Sequence, residues 1–161
     1  MNVKVFPSRH YSGILKKDYS FLASKLEKET QLDNQYVVDW SATTFNGLVH
    51  ENSFDVTLSS TYYGKLCFFK GIVEDKGIHI EIQIKTIYKW ILGFLFLYPL
   101  LGLLASFVLR GFDVSKELIF HSIMATLVFR ISLEIVFIFI SKKGLKHLIR
   151  ILEISMLKRE R

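Results

Sequence analysis

The chain has 161 residues, half of them apolar, and a formal net charge of +6. This apolar share is at the high end for a soluble domain, and no internal repeat or low-complexity stretch appears. The single cysteine, Cys67, argues against a disulfide framework and suits a reducing compartment.

The first predicted element is an amphipathic helix over roughly residues 14–31. The segment before it, MNVKVFPSRHYSGILKK, has no apolar h-region, so we do not expect a secretory signal peptide. Apolar residues recur at helical spacing in the helix, and four lysines lie elsewhere on its surface. The apolar positions are Ile14 or Leu15, Tyr19, Leu22 and Leu26, and the lysines are Lys16, Lys17, Lys25 and Lys28.

The period then changes to two, which predicts the strands of a small antiparallel sheet. The clearest strand is IHIEIQIK, where four isoleucines alternate with polar residues. Turns are expected near Glu51-Asn52-Ser53 and at Asp75-Lys76-Gly77. The predicted strands are QYVVDWSATT (35–44), FNGLVHE (45–51), SFDVTLS (53–59), KLCFFKGIV (65–73) and IHIEIQIK (78–85).

The strand KLCFFKGIV differs from the others because it is apolar on both faces. Leu66 and Phe68 lie on one face, and Cys67 and Phe69 on the other. Such a strand is expected to be covered on both sides. The N-terminal helix supplies one cover, and the second is a C-terminal helix, a second subunit or the lipid surface.

Two apolar runs follow the sheet and predict a transmembrane hairpin. Residues 90–109 contain no charge, and twenty helical residues match a hydrocarbon core of about 30 Å. Residues 118–140 form the second span. The fold class is therefore α+β: a small antiparallel β domain over residues 1–88 with flanking amphipathic helices, joined to a two-helix hairpin over 89–141.

Residues 142–161 are predicted to form a basic amphipathic tail helix, separated from the second span by a break at Gly144. Its apolar face would be Leu145, Leu148, Ile149, Leu152 and Met156, lying either in the lipid interface or on the sheet. Residues 141–161 carry seven basic and two acidic residues, whereas residues 1–88 carry ten of each. This bias predicts that both termini are cytoplasmic. The expected lipid contacts are Lys142, Lys143, Lys146 and Arg150.

The order of these elements resembles a group of small bacterial membrane proteins of unassigned function. The resemblance rests on FNGLVHENSFDV, FFKGIV and IHIEIQI, followed by the hairpin and the basic tail. Members of that group tend to have an Arg-Asn pair between the second and third strands, where this chain has TYYGK. The two-helix, β-barrel effectors of cyclic-nucleotide antiphage defence are similar only in architecture, since their hairpin precedes the β domain.

Chemistry-bearing motifs are sparse. The five histidines have no zinc-ligand spacing, and no phosphate-binding glycine loop or CxxC occurs, so we expect neither an enzyme, a metal nor a cofactor. Tyr62, Tyr63 and Lys65 lie on a turn between strands, where aromatic and cationic side chains could bind a nucleotide or another anion. The alternative is that these residues only cover the edge of the sheet.

The second span carries charges that an anchor does not need. Ser122, Thr126, Arg130 and Glu134 recur every fourth residue and form one polar stripe. The first span offers Pro99, Gly102 and Ser106 as a helix-packing surface. The charged pair either ties the hairpin together or lines the shared axis of an oligomer, and a proton relay is a third, weaker alternative.

These features favour an oligomeric membrane effector. A cytoplasmic β domain would sense a nucleotide or protein partner, and the hairpins would perturb or permeabilise the membrane, with antiphage defence as one setting. The alternative is a membrane-tethered adaptor or assembly factor with a passive anchor. Membrane lipids and further copies of the chain are the expected partners, and direct DNA binding is not expected, because the positive charge lies beside the membrane.

Overall fold

The computed structural model describes residues 6–31, 44–59, 64–110 and 116–160 and contains two compact units. The sheet unit comprises Met1–Lys85 together with Phe137–Arg161, and the helical hairpin comprises Thr86–Val136. An antiparallel sheet with helices and a pair of long apolar helices confirms the α+β class. The sheet unit combines C-terminal with N-terminal residues, whereas the sequence analysis predicts a separate tail over 142–161.

One seven-stranded sheet is formed by the described residues, in the spatial order β2-β3-β4-β5-β6-β1-β7. Six strands are antiparallel, and the two-residue β2 pairs parallel to β3. The strands are β1 Ser8–Leu15, β2 Thr30–Gln31, β3 Phe45–Val49, β4 Ser53–Leu58, β5 Cys67–Glu74, β6 Gly77–Ile84 and β7 Ile154–Glu160. The predicted strands at 45–51, 53–59, 65–73 and 78–85, with both turns between them, are confirmed, whereas QYVVDWSATT lies largely outside the described residues.

One face of this sheet carries the core. The four isoleucines of β6 are buried as predicted, and the register places Phe69 and Val73 of β5 and Phe54 of β4 on the same side. Side chains on the other side are half-buried or exposed, with Thr57 as the buried exception, and we call that side the outward face. The sheet therefore has one apolar and one wet face, which is common for antiparallel sheets.

Within one chain strand β5 is covered on one side only, so a second subunit or the lipid surface stays the predicted cover of its other side. Cys67 and Phe69 are buried, but Phe68 is half-buried and Ile72 is 44% exposed. The strand is central in the sheet, yet both helical covers of this unit lie against its buried face. Phe68 and Ile72 thus leave apolar surface on the outward face.

The N-terminal region corrects the predicted helix over 14–31. Residues Ser8–Leu15 form strand β1, and helix α1 spans only Tyr19–Lys28. Strand β1 lies between β6 and β7 and pairs with both, so ladder hydrogen bonds override the helical spacing of Ile14 and Leu15. The apolar face of α1 is as predicted: Tyr19, Leu22 and Leu26 are buried.

Two glycines explain the F-x-G-x-V and F-K-G-I-V motifs. Gly47 has a φ of +151°, and a Cβ there would collide with the backbone oxygen of Asp55 on the paired strand. A Cβ at Gly71 would overlap the ring of Phe54, which lies directly across the ladder. Each glycine therefore allows a close approach that an ordinary side chain would block.

The tail differs most from its prediction. Helix α3 runs without a break from Lys116 to Ile151, and β7 follows it instead of a further helical segment. Gly144 lies inside this helix and does not break it. Only glycine fits at this position, because a Cβ would collide with the ring of Phe69. Of the predicted apolar face, Leu145, Leu148 and Leu152 are buried, Ile149 is half-buried, and Met156 is 85% exposed on β7. The end of α3 therefore packs on the sheet, the second of the two predicted arrangements.

The helical hairpin consists of α2, Thr86–Arg110, and the first part of α3. Both helices are long and apolar enough to cross a membrane, and the predicted spans 90–109 and 118–140 lie within them. Residues 116–136 of α3 alone extend for about 31 Å at 1.5 Å per residue. That length matches a bilayer core of about 30 Å.

Candidate functional site

The candidate site is the polar stripe of α3, formed by Ser122, Thr126, Arg130 and Glu134. All four side chains are half-buried, whereas most residues around them on α3 are exposed. Phe129, beside Arg130, makes an edge-to-face contact with Phe96 of α2, with ring centroids 4.8 Å apart. The stripe therefore lies on the half-buried side of α3, next to the residue that contacts α2.

Two hydroxyls of the hairpin helices are satisfied within their own helices. Thr126 Oγ1 donates to the carbonyl oxygen of Ser122 at 2.9 Å, and Ser106 Oγ donates to that of Gly102 at 2.9 Å. Serine and threonine in apolar helices commonly bond the preceding turn in this way. These groups therefore carry little cost in lipid and leave the charged pair as the unusual feature.

Arg130 and Glu134 form an ion pair one helical turn apart. Arg130 Nη1 lies 3.4 Å from Glu134 Oε2, but it is buried and makes no hydrogen bond to any described residue. The contact is thus a charge contact without hydrogen-bond alignment. The side chains remain 37% and 41% exposed, so one hairpin covers the pair only in part.

Two of the three predicted packing residues of α2 are half-buried. Pro99 and Ser106 belong to the half-buried face of the helix, with Phe96. Gly102 is exposed, and a Cβ there would meet no heavy atom of the described residues within 4 Å. No described residue of the same chain therefore approaches Gly102 closely, and its role in helix packing stays a prediction.

The predicted ligand site is only partly described. Tyr62 and Tyr63 lie outside the described residues. Lys65 is exposed in a 3-10 turn, Gly64–Leu66, immediately before β5. This position is compatible with a contact to an anion, and the site remains a prediction.

The four predicted lipid-contact residues lie on the exposed side of α3. Lys142, Lys143, Lys146 and Arg150 are exposed, while Leu145 and Leu148 on the other side of the helix are buried. The apolar face of this segment is therefore used by the sheet unit. Any lipid contact would depend on the charges alone, since basic residues beside anionic lipid contribute about 1 kcal/mol each.

The described part of the chain was predicted to hold no metal, and its single cysteine was not predicted to be reactive. No group of three His, Cys, Asp or Glu side chains in this part of the chain could hold a metal ion. Cys67 is buried in the sheet core, and burial raises the pKa of its thiol to about 12. The thiol therefore stays protonated at neutral pH and is a poor nucleophile.

A row of charged residues on the outward face was not found from the sequence. Ladder partners place Asp55, Lys70, Glu81, His10 and Glu160 side by side on β4, β5, β6, β1 and β7. We call these five residues the outward row. His10 Nε2 lies 4.0 Å from Glu81 Oε1, and His79 Nδ1 lies 3.4 Å from Glu160 Oε1. Asp55, Lys70 and Glu81 lie on predicted strands, but His10 and Glu160 could not be placed beside them, because β1 and β7 were not predicted as strands.

Comparison with known proteins leaves the function to be inferred from the chain itself. No protein-family model, no curated protein and no solved structure matches this sequence or its fold.

Proposed function

We propose that the chain is an oligomeric membrane effector. Its hairpins would lie in the bacterial inner membrane, with both termini in the cytoplasm. The sheet unit would sense a nucleotide or protein partner, with Tyr62, Tyr63 and Lys65 as the candidate contact. The hairpins would then perturb the bilayer along their polar stripes, and antiphage defence is the setting we would test first.

The observation that carries this proposal is the incomplete cover of the Arg130–Glu134 pair. More than a third of each side chain is exposed although the hairpin is formed. A charged residue near the bilayer centre costs roughly 2.5–3.5 kcal/mol on insertion scales, and such residues nearly always face protein or water. Further hairpins around a shared axis would supply that environment.

The unsatisfied donor of Arg130 supports the same conclusion. Nη1 of Arg130 is buried yet has no hydrogen-bond acceptor among the described residues. A buried donor without an acceptor costs about 1–3 kcal/mol. A small shift on oligomerisation would let an acceptor from a neighbouring hairpin, or a water in a polar path, remove this cost.

The alternative function is a membrane-tethered adaptor with a passive hairpin. One observation favours it: the charged pair is formed within a single helix, one turn apart, so it reduces its own cost without a second copy. In that case the stripe would only strengthen the hairpin. The adaptor would hold a protein partner on the sheet unit.

The test compares the wild type, Arg130→Leu, Glu134→Leu and the double variant, each as the full chain in bacterial cells. Each single change leaves one buried charge unpaired or forces Glu134 to take a proton, so the singles should insert poorly. The double variant should insert well, because its span is more apolar. It should nevertheless lose the fall in membrane potential that the induced wild type causes, because the polar path is gone.

Ser132→Leu is the matched control, since Ser132 is a polar residue on the exposed side of the same helix. It should behave like the wild type in insertion, in crosslinked oligomers and in membrane potential. A wild-type protein that stays monomeric and leaves the potential unchanged, under phage challenge as well, would contradict the effector. A double variant with full activity would point to the adaptor.

A further inference from the structure

Acidic side chains alternate with Lys70 and His10 along the outward row, across five neighbouring strands. Asp55 is opposite Lys70, Lys70 is opposite Glu81, and His10 lies between Glu81 and Glu160. Leu48 of β3, 49% exposed, is opposite Asp55 and extends the row by one apolar residue. Cross-strand pairs of opposite charge stabilise a sheet modestly, and this accounts for the pairs within one chain.

The outward row of one copy can also be complementary in charge to the outward row of a second copy. Consider two sheets face to face, related by a two-fold axis that runs parallel to the strands, midway between β5 and β6. Lys70 of each copy then faces Glu81 of the other, and Asp55 faces His10 of the other. Packed sheets lie about 10 Å apart, a gap that facing lysine and glutamate side chains span together.

The row also disfavours the other simple arrangement. With the two-fold axis along the row, Lys70 would face its own copy, and so would Glu81. Juxtaposed like charges cost several kcal/mol at an interface and therefore select one orientation. Phe68 and Ile72 flank Lys70 on β5, and the selected axis places them over Gln83 and His79 on β6 of the other copy, which would cover part of their apolar surface.

A shallow cavity of about 200 Å³ lies on the outward face, over β5, β6, β1 and β7. Its lining extends from Lys70 and Ile72, through His79 and Glu81, to His10 and Glu160. Charged side chains surround the apolar Ile72 in this cavity, so it could accommodate a side chain from the facing sheet of a second copy. The cavity, the apolar residues and the charge row thus occupy one region of the outward face.

We propose that the outward face of the sheet unit binds the same face of a second copy of this chain, with β5 of each copy over β6 of the other. This inference rests on the proposed function for the expectation that the chain self-associates, and it names the surface by which the sheet units do so. It does not require the hairpins to conduct.

The test uses charge reversal and mixing of two differently tagged full-length chains. Lys70→Glu places like charges across the interface of a homodimer, and so does Glu81→Lys. When the two variants are mixed, the two substituted positions face each other with opposite charges at one contact. Native Lys70 faces native Glu81 at the other contact. Recovery on mixing therefore reports the interface, because the pairs within each chain remain broken.

Copies are co-expressed, purified through one tag and quantified through the other. All chains carry Arg130→Leu and Glu134→Leu, so that loss of hairpin association and loss of sheet association are distinguishable. Co-purification of either reversed variant with itself should fall about tenfold or more, and the mixed pair should return to within about twofold of the unreversed pair. Lys76→Glu, on the exposed turn before β6, is the control and should change nothing.

Two outcomes overturn the proposal: self-association of the reversed variants at the unreversed level, or a mixed pair as weak as either variant alone. Far-UV circular dichroism checks that each variant folds. If a reversal prevents folding, Lys70→Gln and Glu81→Gln replace it. Each should weaken self-association by a smaller factor, and an unchanged level would again overturn the proposal.

Discussion

Single residues decide how closely the elements of the sheet unit approach one another. Gly144 is the clearest case, because it lies in the interior of α3 and the ring of Phe69 occupies the space where a Cβ would be. From the sequence alone a glycine at this position suggests a helix break. The structure shows that its role is close packing of helix on sheet.

Gly144→Ala should therefore destabilise the sheet unit. Alanine in a helix interior normally stabilises by roughly 0.5–1 kcal/mol relative to glycine. Here the added methyl would overlap Phe69, and overpacking of this kind lowers the free energy of unfolding by about 1–3 kcal/mol. Denaturant unfolding of the full chain in detergent measures the change. Gly93→Ala is the control, because a Cβ there meets no described heavy atom within 4 Å, and an equal loss in both variants would contradict the packing argument.

Glu153 connects the end of α3 to α1 and provides a pH-dependent contact. It has a φ of +47°, and its carboxylate lies 3.1 Å from Lys17 Nζ and 3.6 Å from Lys25 Nζ. The hydrogen bond from Lys17 lowers the pKa of this carboxyl below its ordinary value of 4.5 in the folded state. The unfolded chain then takes up the proton first, so the contact stabilises above about pH 4.5 and is lost as the pH falls through the lowered pKa.

Glu153→Gln should remove this pH dependence. We expect the wild type to unfold at a higher temperature than the variant at pH 7, and the difference to shrink progressively as the pH falls below about 4.5. The effect should be small and salt-sensitive, because the pair is exposed. A difference between the two proteins that is constant from pH 7 to pH 3 would show that the ion pairs do not contribute.

At the scale of elements, the secondary structure of Ile154–Glu160 is determined by the strand with which it pairs. Residues Ile154–Glu160 form β7, paired with β1, although their composition also suits the end of an amphipathic helix. The strand and helix alternatives bury different side chains. In the strand Ile154 is 7% exposed and Met156 is 85% exposed, whereas the predicted tail helix would bury Met156.

Replacing each of these residues by aspartate distinguishes the alternatives. Ile154→Asp should lower the free energy of unfolding by about 3 kcal/mol or more, because it buries an unpaired charge. Met156→Asp should stay within about 0.5 kcal/mol of the wild type, as most surface substitutions do. Thermal unfolding of the two full-length variants measures both changes. A larger loss of stability in Met156→Asp than in Ile154→Asp would contradict the strand and favour the predicted tail helix.

At the scale of the whole molecule, charge and hydropathy are separated along the chain. The helical hairpin is apolar over nearly its whole length, and the basic excess lies in the residues that follow it. Basic segments beside a span usually remain on the cytoplasmic side. Lys142, Lys143, Lys146 and Arg150 are exposed on α3 and therefore available to set the orientation.

Both termini should accordingly be cytoplasmic. A reporter that is active only in the cytoplasm should be active when fused to either end of the chain. A cysteine introduced between residues 110 and 116, in a Cys67→Ala background, should react with a label added outside the cell. Glutamine at the four basic positions should lower the correctly oriented fraction, while Lys16→Gln with Lys28→Gln should not. External labelling of either terminus in intact wild-type cells would disprove this orientation.

The sequence by itself determined the elements whose pattern is local. The alternating isoleucines of β6 give a strand one apolar face, whatever its neighbours are. The uninterrupted apolar run of α2 gives a helix that is apolar on all sides. In both cases the spacing of apolar residues is enough to predict the element. Only the tertiary structure decided that Ser8–Leu15 and Ile154–Glu160 are strands and that α3 continues through Gly144. Strand hydrogen bonds need a partner, and the partners here come from opposite ends of the chain. The outward row is a product of that pairing, because its five residues become neighbours only when β1 enters the sheet between β6 and β7.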